Sequence, residues 1–168
     1  AAVDAGTYAL SETPLAGYAQ GAWSCVGGSL TGSDLTLAQN QNATCTLTND
    51  DQAATLTLLK TVVNDNGGTA LDTAFTLTAT RGAFSISGTE GQAAITNASV
   101  SAGTYILSES GAATSLYTPG AWSCTAGTLT GNSLTLNPGQ TASCTIGNND
   151  KPRLTLAKTV INDDGGTA

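Results

Sequence analysis

The chain has 168 residues, of which only 10% are charged, with 12 acidic against five basic side chains and a formal net charge of −7. That balance excludes a protein that grips nucleic-acid phosphates or anionic membranes, and no apolar run approaches the roughly 20 residues of a membrane-spanning helix. The remainder is rich in Thr, Ser and Asn, with 20 glycines, which favours strands and turns over helices or disorder.

The opening Ala1-Ala-Val-Asp-Ala-Gly6 has neither the basic start nor the apolar core of a secretory signal and reads as the middle of a repeat. Ala5-Gly-Thr-Tyr-Ala-Leu-Ser-Glu12 returns as Ala102-Gly-Thr-Tyr-Ile-Leu-Ser-Glu109, a shift of 97. Gly21-Ala-Trp-Ser-Cys25 returns at Gly120–Cys124 and Cys45-Thr-Leu-Thr-Asn49 at Cys144–Asn148, both shifted by 99. Leu56-Thr-Leu-Leu-Lys60 returns as Leu154-Thr-Leu-Ala-Lys158, shifted by 98. Four blocks in one order at nearly the same spacing define a tandem repeat of about 100 residues. Residues 1–52 read as the C-terminal part of one repeat, 53–152 as a complete one, and 153–168 as the first strand of the next. The joint Asp150-Lys-Pro-Arg153 is short, as in stiff arrays.

Within the complete repeat, residues 56–63 read as a strand closed by the turn Asn64-Asp-Asn-Gly-Gly68. Further strands are expected over 73–80, 83–87, 94–100, 104–109, 121–125, 134–136 and 141–146. Seven or eight short strands in about 100 residues make an all-β sandwich, with no helix expected. The loops Asn64–Gly68 and Asn162–Gly166 lack the spaced carboxylates of a calcium loop and are explained by turn chemistry.

The four cysteines, at 25, 45, 124 and 144, give each repeat one pair separated by 20 residues. There is no histidine and no CxxC spacing, so a metal site is disfavoured. One disulfide per repeat, Cys25–Cys45 and Cys124–Cys144, is expected over buried free thiols, and implies a secreted or surface location. The absence of histidine also removes Ser/His/Asp and Cys/His catalysis, no cofactor is implied, and an enzyme acting on an external substrate is not expected. Trp23 and Trp122 precede a cysteine by two residues; packing on the disulfide is favoured over stacking on a sugar. Asn42-Ala-Thr44 and Asn97-Ala-Ser99 fit the glycosylation pattern, a weak signal in so polar a chain.

Only three lysines and three glutamates are present, and Lys60 with Lys158, and Glu12 with Glu109, are repeat-equivalent. With a strand period of two, Lys60 shares a face with Leu56 and Leu58. Glu109 likewise shares one with Tyr105 and Leu107, and Asn148 with Cys144 and Ile146. Each strand therefore aims a polar group inward, which is costly unless the groups meet. Two readings follow. One is a simple buried ion pair, or a lysine that snorkels to water, and parity alone favours it. In the other, burial disfavours the charged forms of amine and acid; Lys60 then attacks the Asn148 carboxamide with Glu109 as proton shuttle.

The segment Tyr8-Ala-Leu-Ser-Glu12-Thr-Pro-Leu-Ala-Gly17-Tyr18 resembles the E-box of Gram-positive pilin and adhesin domains. With the inward Lys of the first strand and Asn of the last, the whole chain resembles prealbumin-like (SpaA/CnaB-type) surface domains, including versions with an extra Cys pair around Ala-Trp-Ser-Cys. The second E-box departs from the pattern, since Glu109 is not followed by an early Pro, and Asn149 beside Asn148 gives two acceptor candidates. The resemblance implies tandem CnaB-like sandwiches, a spontaneous Lys60–Asn148 isopeptide bond assisted by Glu109, and a role in stalks, fibres or adhesins on the cell surface. Glu12 with Asn49, and Lys158, would be paired by sequence outside this window or by another copy of the chain. The expected partners are therefore neighbouring repeats and, in a filament, other copies of the chain. An adhesin module binding carbohydrate or a host protein is the alternative.

Overall fold

The computed structural model describes residues 2–111 and 113–167. The N-terminal part carries seven short strands: β1 Gly6–Ala9, β2 Tyr18–Gln20, β3 Ser24–Val26, β4 Ser29–Thr31, β5 Asp34–Leu37, β6 Thr44–Thr46 and β7 Asn49–Asp51. Ten more follow in the complete repeat: β8 Ala54–Val63, β9 Thr76–Arg81, β10 Phe84–Gly88, β11 Ala98–Val100, β12 Gly103–Ser110, β13 Tyr117–Pro119, β14 Ser123–Cys124, β15 Thr128–Thr130, β16 Ser133–Leu136 and β17 Thr141–Asp150. Among the described residues there is no α-helix, only three 3₁₀ turns.

In the complete repeat one sheet runs β10-β9-β12-β16-β15, and the other runs β11-β8-β17-β13 with β14 also paired to β17. Alternate residues of each strand face inward, as the pleat requires. Leu56 and Leu58 of β8 and Cys144 and Ile146 of β17 thus meet Leu77, Ala79, Tyr105, Leu107, Leu134 and Leu136 of the opposite sheet. Fully burying each leucine is worth about 1.5–3 kcal/mol, so this inner layer holds the sandwich closed. One pair is not antiparallel. β8 and β17, the first and last strands of the repeat, run parallel in register from Thr55 beside Thr141 to Val63 beside Asn149.

The expected strands recur with differences. The one expected over 73–80 starts only at Thr76, after a 3₁₀ turn over Asp72–Ala74. The one over 121–125 shrinks to Ser123–Cys124, where pairing with β17 is confined to two residues. A continuous strand over 94–100 does not form. Ala93–Ile95 is a 3₁₀ turn that buries Ile95, and Asn97 adopts a left-handed conformation (φ 50°) before the short β11. The last strand runs four residues beyond 146, to Asp150, because β8 and β13 pair with it along that extension. Two short strands, β13 and β15, carry no period-two signal long enough to read from sequence. Residues 151–161 have no ladder partner among the described residues, and Leu154 and Leu156 are 84% and 87% exposed.

The turn after β8 is tied to the end of β17. The buried Asp150 carboxylate accepts hydrogen bonds from the backbone N–H groups of Asp65 and Asn66 (both 3.0 Å) and Gly68 (2.5 Å). Tyr117 Oη donates to Asn64 Oδ1 (2.6 Å) and accepts from the Ala70 N–H (2.9 Å). Gly68 is required by this close approach, since a Cβ there would lie 2.5 Å from Tyr117 Oη. Burial raises the Asp150 pKa, but the N–H groups of Gly68, Asn66 and Asp65 outweigh it and hold the carboxyl below its ordinary value of 3.8. A carboxylate with a depressed folded pKa stabilises the fold above its unfolded pKa and loses that contribution as pH falls. Asp150→Asn should therefore be less stable than wild type at neutral pH. In urea unfolding followed from pH 7 to pH 2, the gap should narrow as pH drops below 3.8.

Candidate functional site

The parallel pairing of β8 with β17 places Lys60 opposite Ile146 and Val62 opposite Asn148. Lys60 and Asn148 therefore lie two positions apart on neighbouring strands, facing the same side. Both are buried, with 3% and 2% of their surface exposed. From the opposite sheet, β12 brings Glu109 to meet them. Its Oε1 lies 3.1 Å from Lys60 Nζ, and its two oxygens accept from Asn148 Nδ2 at 2.8 and 3.0 Å. The carboxyl group thus bridges the amine and the carboxamide. Asn149 points outward and is exposed, so the strand's parity selects Asn148 as the inward amide.

Three further groups shape the cluster. Lys60 Nζ sits 4.6 Å from the centroid of the buried Phe75 ring, a favourable cation–π position. The same Nζ donates to the Ile146 carbonyl at 3.4 Å. β11 pairs with β8 only from Ala54 to Leu56, and beyond that ladder Glu90 Oε2 accepts from the Lys60 backbone N–H at 2.5 Å. Burial lowers the Lys60 pKa below 10.5, opposed by the hydrogen bond and charge of Glu109. Within this cluster Asn148 Oδ1 is buried without a hydrogen-bond partner among the described residues. A cleft of about 460 Å³, lined by Leu107, Trp122, Asn132 and Ile146, reaches Glu109 and Asn148 from the surface.

The N-terminal part holds two thirds of the same arrangement. Asn49 Nδ2 donates to Glu12 Oε1 at 2.5 Å, while Glu12 Oε2 and Asn49 Oδ1 are buried and unpartnered among the described residues. Lys158, the equivalent of Lys60, is exposed in the unpaired C-terminal segment. The structure thus assembles Lys60, Glu109 and Asn148 and leaves Glu12 with Asn49 apart from Lys158. Among the described residues no group of His, Cys, Asp and Glu side chains is arranged to hold a metal.

Two disulfides, Cys25–Cys45 and Cys124–Cys144, each link directly opposed residues, with Cα atoms 4.1 Å apart. Trp122 packs on the core beside Cys124.

The profile of the prealbumin-like fold domain matches residues 1–47 and 51–146. The chain belongs to that family. Its fold is also similar to the crystal structure of the major pilin of Streptococcus pyogenes, with 15% identity, 88% of this chain and 71% of that chain covered, and a TM-score of 0.40. No curated protein matches the chain. Together with the two disulfides, the family places this prealbumin-like module in an extracellular or cell-surface setting.

Glu90 lies outside every expected strand, and although Phe75 shares the inward parity of Leu77 and Ala79, nothing in the sequence sets its ring beneath Lys60. Breaking the cluster should be costly in one direction only. Lys60→Met leaves the Glu109 carboxylate buried without its cation and should cost about 3–5 kcal/mol. Adding Glu109→Gln should restore part of that loss in urea unfolding, and an equal or larger loss in the double variant would show that the two charges do not interact.

Proposed function

We propose that this chain is a structural repeat of an extracellular stalk, fibre or filament, and that a covalent Lys60–Asn148 bond staples each complete repeat. The observation that carries the reading is the position of the Lys60–Glu109–Asn148 cluster on the path of a pulling force. Because β8 and β17 are parallel neighbours, the chain enters the sandwich at one end and leaves at the other. Tension on the two ends therefore shears the whole β8–β17 ladder at once. A bond between Lys60 and Asn148 joins those two strands directly.

The chemistry balances within the cluster. In its neutral form, favoured by burial, Lys60 Nζ attacks Asn148 Cγ. A proton passed from Lys60 Nζ to Glu109 Oε1 across their 3.1 Å contact polarises the carbonyl once rotation of the carboxamide turns Oδ1 toward it. Glu109 then carries a proton from Nζ to Nδ2. The Nζ–Cγ bond forms, the Cγ–Nδ2 bond breaks and ammonia leaves, with the cleft beside Trp122 as its route out. No external co-reactant or turnover is involved, so the reaction is a single maturation event.

The test is the intact mass of the full chain with and without reductant. The reading expects the loss of one ammonia that survives reduction and disappears in Glu109→Ala. A mass deficit that reductant removes completely would leave the disulfides as the only covalent ties. A second reading, adhesion, draws on the same cleft, where Trp122 offers an aromatic face. It expects Trp122→Ala to abolish binding on a glycan array while thermal stability is retained.

A further inference from the structure

Two tight turns meet where the N-terminal part joins the complete repeat. Leu15-Ala-Gly17-Tyr18 is closed by Tyr18 N–H donating to the Leu15 carbonyl (3.1 Å). Asn137-Pro-Gly139-Gln140 is closed by Gln140 N–H donating to the Asn137 carbonyl (3.2 Å). Each carries glycine at its third position with positive φ, 82° at Gly17 and 69° at Gly139, as a type II turn requires. The two tips touch. A Cβ on Gly17 would overlap the Pro138 carbonyl, and one on Gly139 would lie 3.2 Å from the Gly17 Cα. Between the turns, Gln52 is bonded in both directions. Its N–H donates to the Gly17 carbonyl (2.8 Å), and its own carbonyl accepts from the Gly139 N–H (2.7 Å).

Neither glycine is dictated by its own repeat alone. Asn40 stands in the N-terminal part where Gly139 stands in the complete repeat. It holds the same left-handed backbone (φ 59°) in a turn closed by Gln41 N–H to the Ala38 carbonyl (3.1 Å). Leu116 stands before Tyr117 as Gly17 stands before Tyr18, and its carbonyl accepts from the Lys151 N–H (2.9 Å) as that of Gly17 accepts from Gln52. The loop that ends at Leu116 has seven residues after its glutamate, against five in residues 13–17. What Gly17 and Gly139 share is the close approach of one turn to the other, which leaves no room for a side chain on Gly17.

We propose that the loop of residues 13–17 is a docking element that seats the β16–β17 turn of the following repeat and locks the two in one orientation. The joint is then a splint rather than a hinge, because the linking residue Gln52 has both backbone groups engaged and has lost the freedom a tether keeps. The contact is small. The covalent joint nevertheless holds the two turns at a high effective concentration, so a small contact energy keeps them together. An array joined in this way transmits bending and twist as well as tension. The lock needs neither the Lys60–Asn148 bond nor a filament, so it can fail while the stalk reading stands, and the reverse.

Backbone ¹⁵N relaxation and amide exchange on the full chain test the lock. Residues 6–51 and 54–150 should share one rotational correlation time, and the Gly139 N–H should exchange slowly. Gly17→Asn tolerates the left-handed backbone but sets a Cβ on the Pro138 carbonyl. It should give the two parts separate correlation times and abolish the protection of Gly139. The Gln52 N–H, bonded within the N-terminal part, should stay protected. Gly32→Asn makes the same exchange at a left-handed glycine (φ 62°) with open space around it, and should leave both readouts at wild-type values. Replacing residues 13–17 with the sequence of 110–116, which places no new side chain on a left-handed glycine, should release the joint in the same way. Independent tumbling of the two parts in the wild type overturns the inference. So does a common correlation time that survives both Gly17→Asn and the loop replacement.

Discussion

Parallel pairing between β8 and β17 is the contact on which the other features depend. It sets Lys60 and Asn148 on neighbouring strands, facing the same side, where Glu109 reaches both from the other sheet. It also lets β17 continue to Asp150, whose carboxylate gathers the turn after β8. A parallel pair joined by a long connection is slower to form than a hairpin, and here the connection is the rest of the repeat. Ties between the two strands therefore act where loop-closure entropy is largest.

The ties divide the work by position. Cys124–Cys144 closes a 20-residue loop and joins β14 to β17, worth about 3 kcal/mol through the unfolded chain. It makes no covalent link to β8, although Cys144 lies opposite Leu58, so it leaves the β8–β17 ladder free to shear. The Lys60–Glu109–Asn148 cluster does span that ladder. Left as an ion pair, it contributes little net stability because desolvation offsets the attraction.

Much of this is legible in the sequence. The 97- to 99-residue shifts locate the repeat, and period-two parity alone turns Lys60, Glu109 and Asn148 inward. The same parity extends from Asn148 to Asp150, but a strand expected to end at 146 hides it. Glu90 is not legible, because its carboxylate meets a backbone N–H across 30 positions and such contacts leave no periodic trace. Phe75 is legible as an inward residue from its parity with Leu77 and Ala79, but its contact with Lys60 joins two sheets and leaves no periodic trace.

The measurement that bears most directly on the account is single-molecule stretching of the full chain from its two ends in the absence of reductant. With Lys60 joined to Asn148, the chain between them cannot extend, and no step from the complete repeat should appear. Without that bond, only the disulfide loop stays closed, and the same region should release a step of about 240 Å at roughly 3.5 Å per freed residue. Such a step would contradict a repeat built to transmit force through a covalent tie between its first and last strands.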